Sequence, residues 1–277
     1  MPTFTLAQNS FTIQGRIINE KGEAVEYVQV GIPKLNIGAV STVDGLFKIN
    51  VPGDTLEFHH VSYQAARFPV TGAADDVVIV LKENELPPVV LIAGKTKEKY
   101  LVRPGKKVLG DKGAISIALA TKEFKGGELG SVARTKKPFK IKDIELTLRD
   151  NSIPDCVASI NIYRIEGKKE SFVNVLNKPI YFNVPVSKIP QRLVIHPSEA
   201  ILLEPGSYFI AFQIVECNKD ALEAYLAKPE KDRDKNEMKL TTAIFLKSSY
   251  LRENALGKMQ HIPVNIGIAV KGLEYQE

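Results

Sequence analysis

The chain has 277 residues, 44% of them hydrophobic and 25% charged, proportions of a folded globular protein rather than of a disordered or membrane-embedded one. At roughly 100–200 residues per domain this length fits two domains, and no apolar run approaches the ~20 residues that span a bilayer. The net charge of +5 is uneven: residues 1–88 hold six Lys/Arg against ten Asp/Glu, giving −4, and the rest holds 31 against 22, giving +9. Asp and Glu are interspersed through the basic part and aromatic residues do not alternate with its Lys/Arg, which points to a solvated basic surface and away from nucleic acid. Tryptophan is absent, and the lean towards Val, Ile, Leu, Phe and Tyr favours an all-β chain.

Residues 1–10 read as the remnant of a secretory signal, with small and apolar residues before a cut after Ala7, or as a frayed terminus. Export is the expectation, and no cysteine follows Ala7 to carry a lipid. Phe11–Ile18 alternates as a strand, and Asn19-Glu-Lys-Gly22 supplies the turn. Val25–Ile32 is again strand-like. The pair Asp44-Gly45 tolerates positive φ and makes a tight hairpin into Leu46–Val51. Pro52-Gly53-Asp54 turns the chain once more, before strands at Thr55–Tyr63, Arg67–Val70 and Val77–Leu81. Seven or so short strands without helical period describe an immunoglobulin-like or transthyretin-like sandwich over residues 11–85.

These residues also carry a resemblance. The order Gly15-Arg-Ile17, Gly22-Glu-Ala-Val25, Val28-Gln-Val30, Gly38, Ser41-Thr-Val-Asp44-Gly45-Leu-Phe47, Val51-Pro-Gly-Asp-Thr-Leu56 and Val61-Ser-Tyr63 resembles the carboxypeptidase-regulatory-like domain of Bacteroidetes envelope proteins. The resemblance implies a structural or interaction module with no catalytic residues to carry over. That domain often precedes outer-membrane receptors, but a receptor is not expected here, a plug and a many-stranded barrel being larger than residues 86–277.

Residues 86–105, with Pro87-Pro88 and a charged stretch, are expected to link two domains, with Val89–Ile92 as a short strand pairing with either. From 106 to 277 strands recur at Phe139–Leu148, Ala158–Ile165, Lys178–Val184, Arg192–Ile195, Ser207–Val215, Thr241–Lys247 and Ile262–Val270, the spacing of a larger, jelly-roll-like sandwich. Gly126-Gly-Glu-Leu-Gly130 opens a strand rather than a helix and reads as a bend, not a phosphate-binding loop. The segments Arg134–Lys142, Ile160–Arg164 and Leu176–Ile180 resemble a jelly-roll-like region of unknown function that follows such regulatory-like domains. Asp220–Lys228 breaks the β pattern: an N-cap Asp220 and a face of Leu222, Tyr225 and Leu226 predict a short helix before Pro229, either a partner-binding element or an insertion folded onto the sandwich.

Catalysis needs convergent groups, and the candidates are few. His59 and His60 are adjacent in a strand, so their side chains are expected on opposite faces. His196 and His261 stand apart from any cluster with ligand spacing. There is no nucleophile elbow, phosphate-cradling loop or zinc motif, and no cofactor is expected. Cys156 and Cys217 lie at strand edges, where an oxidising compartment permits a disulfide; two buried free thiols are the other reading. Sugars stack on aromatic side chains, and Tyr163, Tyr181 and Tyr208, with Phe182, are the candidate platforms on the second sandwich.

The expected function is that of a non-catalytic exported protein, periplasmic, on the outer-membrane surface or extracellular, acting as an interaction or structural module towards an envelope protein. A glycan-binding accessory protein is the alternative, and a surface hydrolase with paired carboxylates a third reading. Neither nucleic acid nor a transmembrane segment is expected.

Overall fold

The computed structural model describes residues 10–85, 94–103, 106–107, 113–121 and 124–276. Seven strands build the first sandwich: β1 (Ser10–Asn19), β2 (Gln29–Ile32), β3 (Ile37–Val40), β4 (Leu46–Pro52), β5 (Asp54–His60), β6 (Tyr63–Val70) and β7 (Ala74–Leu81). One layer has β1 between antiparallel β4 and parallel β7, and the other runs β3-β2-β5-β6, all antiparallel. Alternation in β4 sends Phe47, Ile49 and Val51 inward onto Leu56 and Phe58, with the rings of Phe47 and Phe58 edge-on at 5.4 Å. The Asp44-Gly45 turn forms as expected. Gly45 has φ +71°, and a Cβ there would lie 2.4 Å from the Ile17 carbonyl oxygen, so only glycine fits.

The second sandwich comprises β8 (Thr96–Val102), β9 (Lys106–Lys107), β10 (Ala114–Ala118), β11 (Glu128–Thr135), β12 (Phe139–Asn151), β13 (Cys156–Glu166), β14 (Ser171–Asn174), β15 (Ile180–Val184), β16 (Gln191–Ile195), β17 (Ile201–Leu203), β18 (Gly206–Glu216), β19 (Lys239–Arg252), β20 (Gln260–Ile266) and β21 (Ile268–Tyr275), with helix α1 (Lys219–Ala227) between β18 and β19. In one layer β12 pairs with β16, β17, β19 and β21, and β8 lies beyond β21. In the other, β13 pairs with β14, β15 and β18, and β11 joins β18 to β19. The long β19 serves both layers: Leu240–Thr242 bonds to β12, and Ile244–Leu251 to β20. Inward residues of both layers, among them Ile144, Leu146, Ile160, Ile162, Ile210 and Phe212, form one apolar core. Among the described residues the chain is thus all-β, an immunoglobulin-like sandwich followed by a larger β-sandwich with one α-helix.

Several local expectations are corrected. Thr96–Val102, placed in the linker, is the strand β8, held to β21 from Thr96–Tyr275 to Val102–Val270. The bend expected at Gly126–Gly130 is Gly126, at φ +68°, and the strand it opens runs over Glu128–Thr135. The single strand expected over Ile262–Val270 divides at Gly267 into β20 and β21. Helix α1 is capped by Asn218, not Asp220: its Oδ1 accepts the Ala221 N–H at 2.9 Å, and Asp220 lies in the first turn, where the helix dipole favours a negative charge. Leu222 is buried, and Tyr225 and Leu226 pack on the core, so the helix closes on the sandwich and does not present that face to a partner. Residues 1–9 and Val89–Ile92 lie outside the described residues.

Candidate functional site in the cleft between the sandwiches

The two sandwiches meet along a closely packed seam. Gly38 of β3 rests on the backbone of Ala255, where a Cβ would lie 1.8 Å from the Ala255 carbonyl oxygen. The Val40 N–H donates to the Phe124 carbonyl at 2.8 Å, extending the first sandwich's hydrogen bonding into the second. Asn36 is bracketed by loop 254–258: its carbonyl accepts from Asn254 Nδ2 at 3.0 Å, and its Oδ1 from the Lys258 N–H at 2.9 Å. Tyr27, Val40, Val215 and Ala255 form a small apolar cluster at the junction. Beside it the Tyr27 hydroxyl donates to Glu216 Oε2 at 2.5 Å, and the rings of Tyr27 and Tyr181 meet edge-on at 4.8 Å. Burial and then the Glu216 carboxylate raise the pKa of Tyr27 well above the phenol range, and burial with Glu216 also raises that of Glu26.

Next to this apolar cluster the seam opens into a cleft of about 300 Å³. One wall is the outer face of β2 and β5, with Gln29, Glu57 and His59; the other is the outer face of β13, β14 and β18, with Ser159, Asn161, Asn174 and Gln213. Strand alternation explains the second set: Ile160, Ile162 and Phe212 point into the core, so their neighbours in sequence point out, and the first sandwich then covers them.

The floor is a buried ion pair. Arg252 Nε faces Glu128 Oε2 at 2.7 Å, with side-chain exposures of 8% and 0%. Glu128 Oε1 also accepts from the Tyr163 hydroxyl at 2.8 Å and from Asn161 Nδ2 at 2.7 Å. Arg252 Nη2 donates to the Tyr163 hydroxyl oxygen at 2.7 Å and, across the seam, to Gln29 Oε1 at 3.2 Å. Desolvation opposes the Arg252 charge, yet Glu128 and Tyr163 together hold its pKa above the ordinary value. Gln213 extends the network, accepting from Ser159 Oγ at 3.1 Å and donating to the Gly126 carbonyl at 3.0 Å.

Both adjacent histidines border this cleft, contrary to the alternation expected for them. A bulge between Phe58 and His60 breaks the period of β5 and re-aims His60. His59 Nε2 bonds to Glu57 Oε2 at 3.1 Å, while His60 Nε2 lies 3.3 Å from the Tyr181 hydroxyl, and burial lowers the His60 pKa to about 4. The other two stand elsewhere: His196 pairs with Asp143 at 2.7 Å on an exposed face, and His261 packs edge-on against Tyr250. Among the described residues no three His, Cys, Asp or Glu side chains converge as a metal site.

Of the three candidate sugar platforms, Tyr163 and Tyr181 reach the cleft and Tyr208 does not. Tyr208 is 1% exposed and points into the core, with its hydroxyl on the Glu204 carbonyl at 2.7 Å. Tyr163 is also buried, its hydroxyl tied to Glu128 and Arg252, so it braces the floor and offers no open ring face. Tyr181 is half-buried. Phe182 points to the opposite side of its strand and packs against the core. Phe172, half-buried at the cleft, was not singled out in the sequence. Cys156 and Cys217 are both buried free thiols, whose pKa values burial pushes up to about 12.

Residues 13–91 match the family model of the CarboxypepD_reg-like domain. This match coincides with the first sandwich, so the CarboxypepD_reg-like domain supplies the Gln29, Glu57 and His59 wall of the cleft. No curated protein matches the chain. Among solved structures, the VP2 subviral particle of infectious bursal disease virus is similar at 10% identity, covering 96% of this chain and 64% of that one, with a TM-score of 0.26. The T13 particle of the same virus gives 9% identity, 99% and 58% coverage, and a TM-score of 0.23. The chain spans about three fifths of the length of these capsid chains, and scores this low fall below those of a shared fold.

Proposed function

We propose that this chain is a non-catalytic, exported protein of the bacterial cell envelope, whose two sandwiches act as one rigid unit and present the cleft between them to an envelope partner. The supporting observation is the seam: Gly38 against Ala255, the Val40–Phe124 backbone hydrogen bond and the Asn36 bracket leave the CarboxypepD_reg-like domain little freedom to swing. A spacer on a flexible tether needs none of these contacts, whereas a composite site requires its walls in register. Bacteroidetes origin and a jelly-roll-like second sandwich belong to the same reading.

Two measurements test it. Fractionation of the native host should place the protein in the envelope or medium; a wholly cytoplasmic pool refutes export. Immobilised protein should retain an envelope component that Gly38→Ala, which forces the seam apart, loses. Tyr27→Phe, which removes only the Glu216 hydrogen bond, should weaken retention less. Equal capture by all three proteins would show that the cleft is not where the partner docks.

A further inference from the structure

The seam is mixed in character, and a group of buried polar side chains lies at the void. Part of the contact between the sandwiches is apolar, through Tyr27, Val40, Val215 and Ala255, and part is hydrogen-bonded, through Asn36 and the Val40 N–H. In the cleft, amides, hydroxyls and paired charges line both walls beside apolar Tyr27, Ile180, Val215 and Leu256. Burying Ser159, Asn161 and Gln213 beneath the first sandwich costs stability relative to the apolar packing used a few residues away, so the polar stretch calls for a reason beyond holding the domains together.

Charge narrows the ligand class. Arg252 is matched by Glu128 at 2.7 Å, and Glu57 by Arg67 at 3.2 Å, with His59 Nε2 hydrogen-bonded to the other Glu57 oxygen. With each charge already compensated, the cleft holds no unpaired field to favour an ion of either sign. What it offers is a mixture of donors and acceptors, the amides of Gln29 and Asn174 and the ring nitrogens of His59, around the acceptor-only carboxylate of Glu57. Half-buried Phe172 and Tyr181 add apolar ring surface to the same walls. A ligand matched to these features carries many hydroxyls, each donor and acceptor at once, together with C–H faces, and bears no charge. The volume of about 300 Å³ sits at the lower end of the roughly 300–1,000 Å³ of small-molecule sites, which limits the length of the ligand.

We infer that the interdomain cleft binds a short, uncharged oligosaccharide, hydrogen-bonded by Gln29, Glu57 and His59 from the first sandwich and Asn174 from the second, with Phe172 and Tyr181 as apolar walls. This rests on the reading of the cleft as the docking site and adds to it the class of ligand. It also moves the sugar site from the face of the second sandwich to a place that exists only when both sandwiches are present.

The test is isothermal titration calorimetry of the full chain with maltotriose, cellotriose, mannotriose and the N-acetylglucosamine trimer, each at about 10 mM to reach weak dissociation constants. Triglycine serves as a peptide probe of similar size. At least one saccharide should bind, and His59→Ala and Glu57→Ala should each weaken it about tenfold with the melting temperature unchanged. Both side chains lie on the wall and outside the seam contacts, which separates loss of binding from loss of fold. Saccharide binding unaffected by both substitutions overturns the location. Binding of triglycine alone overturns the class in favour of a peptide. If no saccharide binds while the envelope component is still captured, the saccharide inference fails and the docking cleft stands; if both are absent, both fail.

Discussion

Replacing Arg252 by Met probes the floor of the cleft. The substitution keeps an unbranched stem of similar reach and deletes the guanidinium, leaving the fully buried Glu128 carboxylate without its counter-charge 2.7 Å away. Two unit charges about 4 Å apart interact by about 4 kcal/mol at an effective dielectric constant of 20, and removing one partner of a buried pair costs about 3–5 kcal/mol. Glu128 keeps the Tyr163 hydroxyl and the Asn161 amide as donors, which places the loss near the lower figure, about 3 kcal/mol. For a chain of this size that lowers Tm by about 6–12 °C. The Glu128→Gln/Arg252→Met double variant removes the stranded charge and should recover part of the loss, with a coupling energy of about 1–3 kcal/mol. Scanning calorimetry at neutral pH on wild type, both single variants and the double variant reads all of these values. Additive single effects, with coupling below about 0.5 kcal/mol, would refute the claim that the pair acts as a unit in the floor.

Other consequences follow from burial. The unfolded chain takes up a proton on His60 near pH 6.5 and the folded chain only near 4, so stability should decline by about 3 kcal/mol as pH falls through that interval; in His60→Gln urea midpoints should depend less on pH there. The Cys156 and Cys217 thiols, with pKa values pushed up to about 12, should resist an aromatic disulfide reagent at pH 8 in the native protein and both react in denaturant; fast labelling of the native state would contradict their burial. Asn218→Ala strips the cap from α1 and should cost about 1 kcal/mol in urea unfolding, whereas Asp220→Ala, in the first turn, should cost less.

The first sandwich was legible because its determinants are local. Alternation in Leu46–Val51, the Asp44-Gly45 turn and the glycine spacing each act over a few residues, and the family match over residues 13–91 falls on the same stretch. The second was legible where alternation is strict and illegible where pairing is remote. Thr96–Val102 is rich in lysine and glutamate, and only its partner β21, far along the chain, makes it a strand. Glu128–Thr135 opens at the Gly126-Gly127 bend, and its extent as a strand is set by pairing with β18. Asn218 lies two residues before the Asp220 that the sequence suggested as cap, a choice decided by which oxygen reaches the Ala221 N–H.

The cleft was hidden for a different reason. In β13, Ser159 and Asn161 are the residues between core positions, and strand alternation assigns such residues to solvent. Their burial comes from the first sandwich placed on that face, which no local pattern encodes. The same holds for Gly38, which in its own strand is an unremarked small residue; its necessity appears only with Ala255, more than two hundred residues away, against its backbone. The tyrosines show the converse. Tyr163, Tyr181 and Tyr208 are equivalent by residue type, but strand phase sends Tyr208 into the core, the Glu128–Arg252 pair captures Tyr163, and Tyr181 stays at the cleft beside His60. A residue type nominates a ligand contact, and phase plus the covering domain decide it. For two fused sandwiches, an outward strand position rich in Ser, Asn and Gln is therefore ambiguous between water and a neighbouring domain, and here Gly38, whose missing Cβ leaves room for Ala255 of the other sandwich, marks where the neighbour sits.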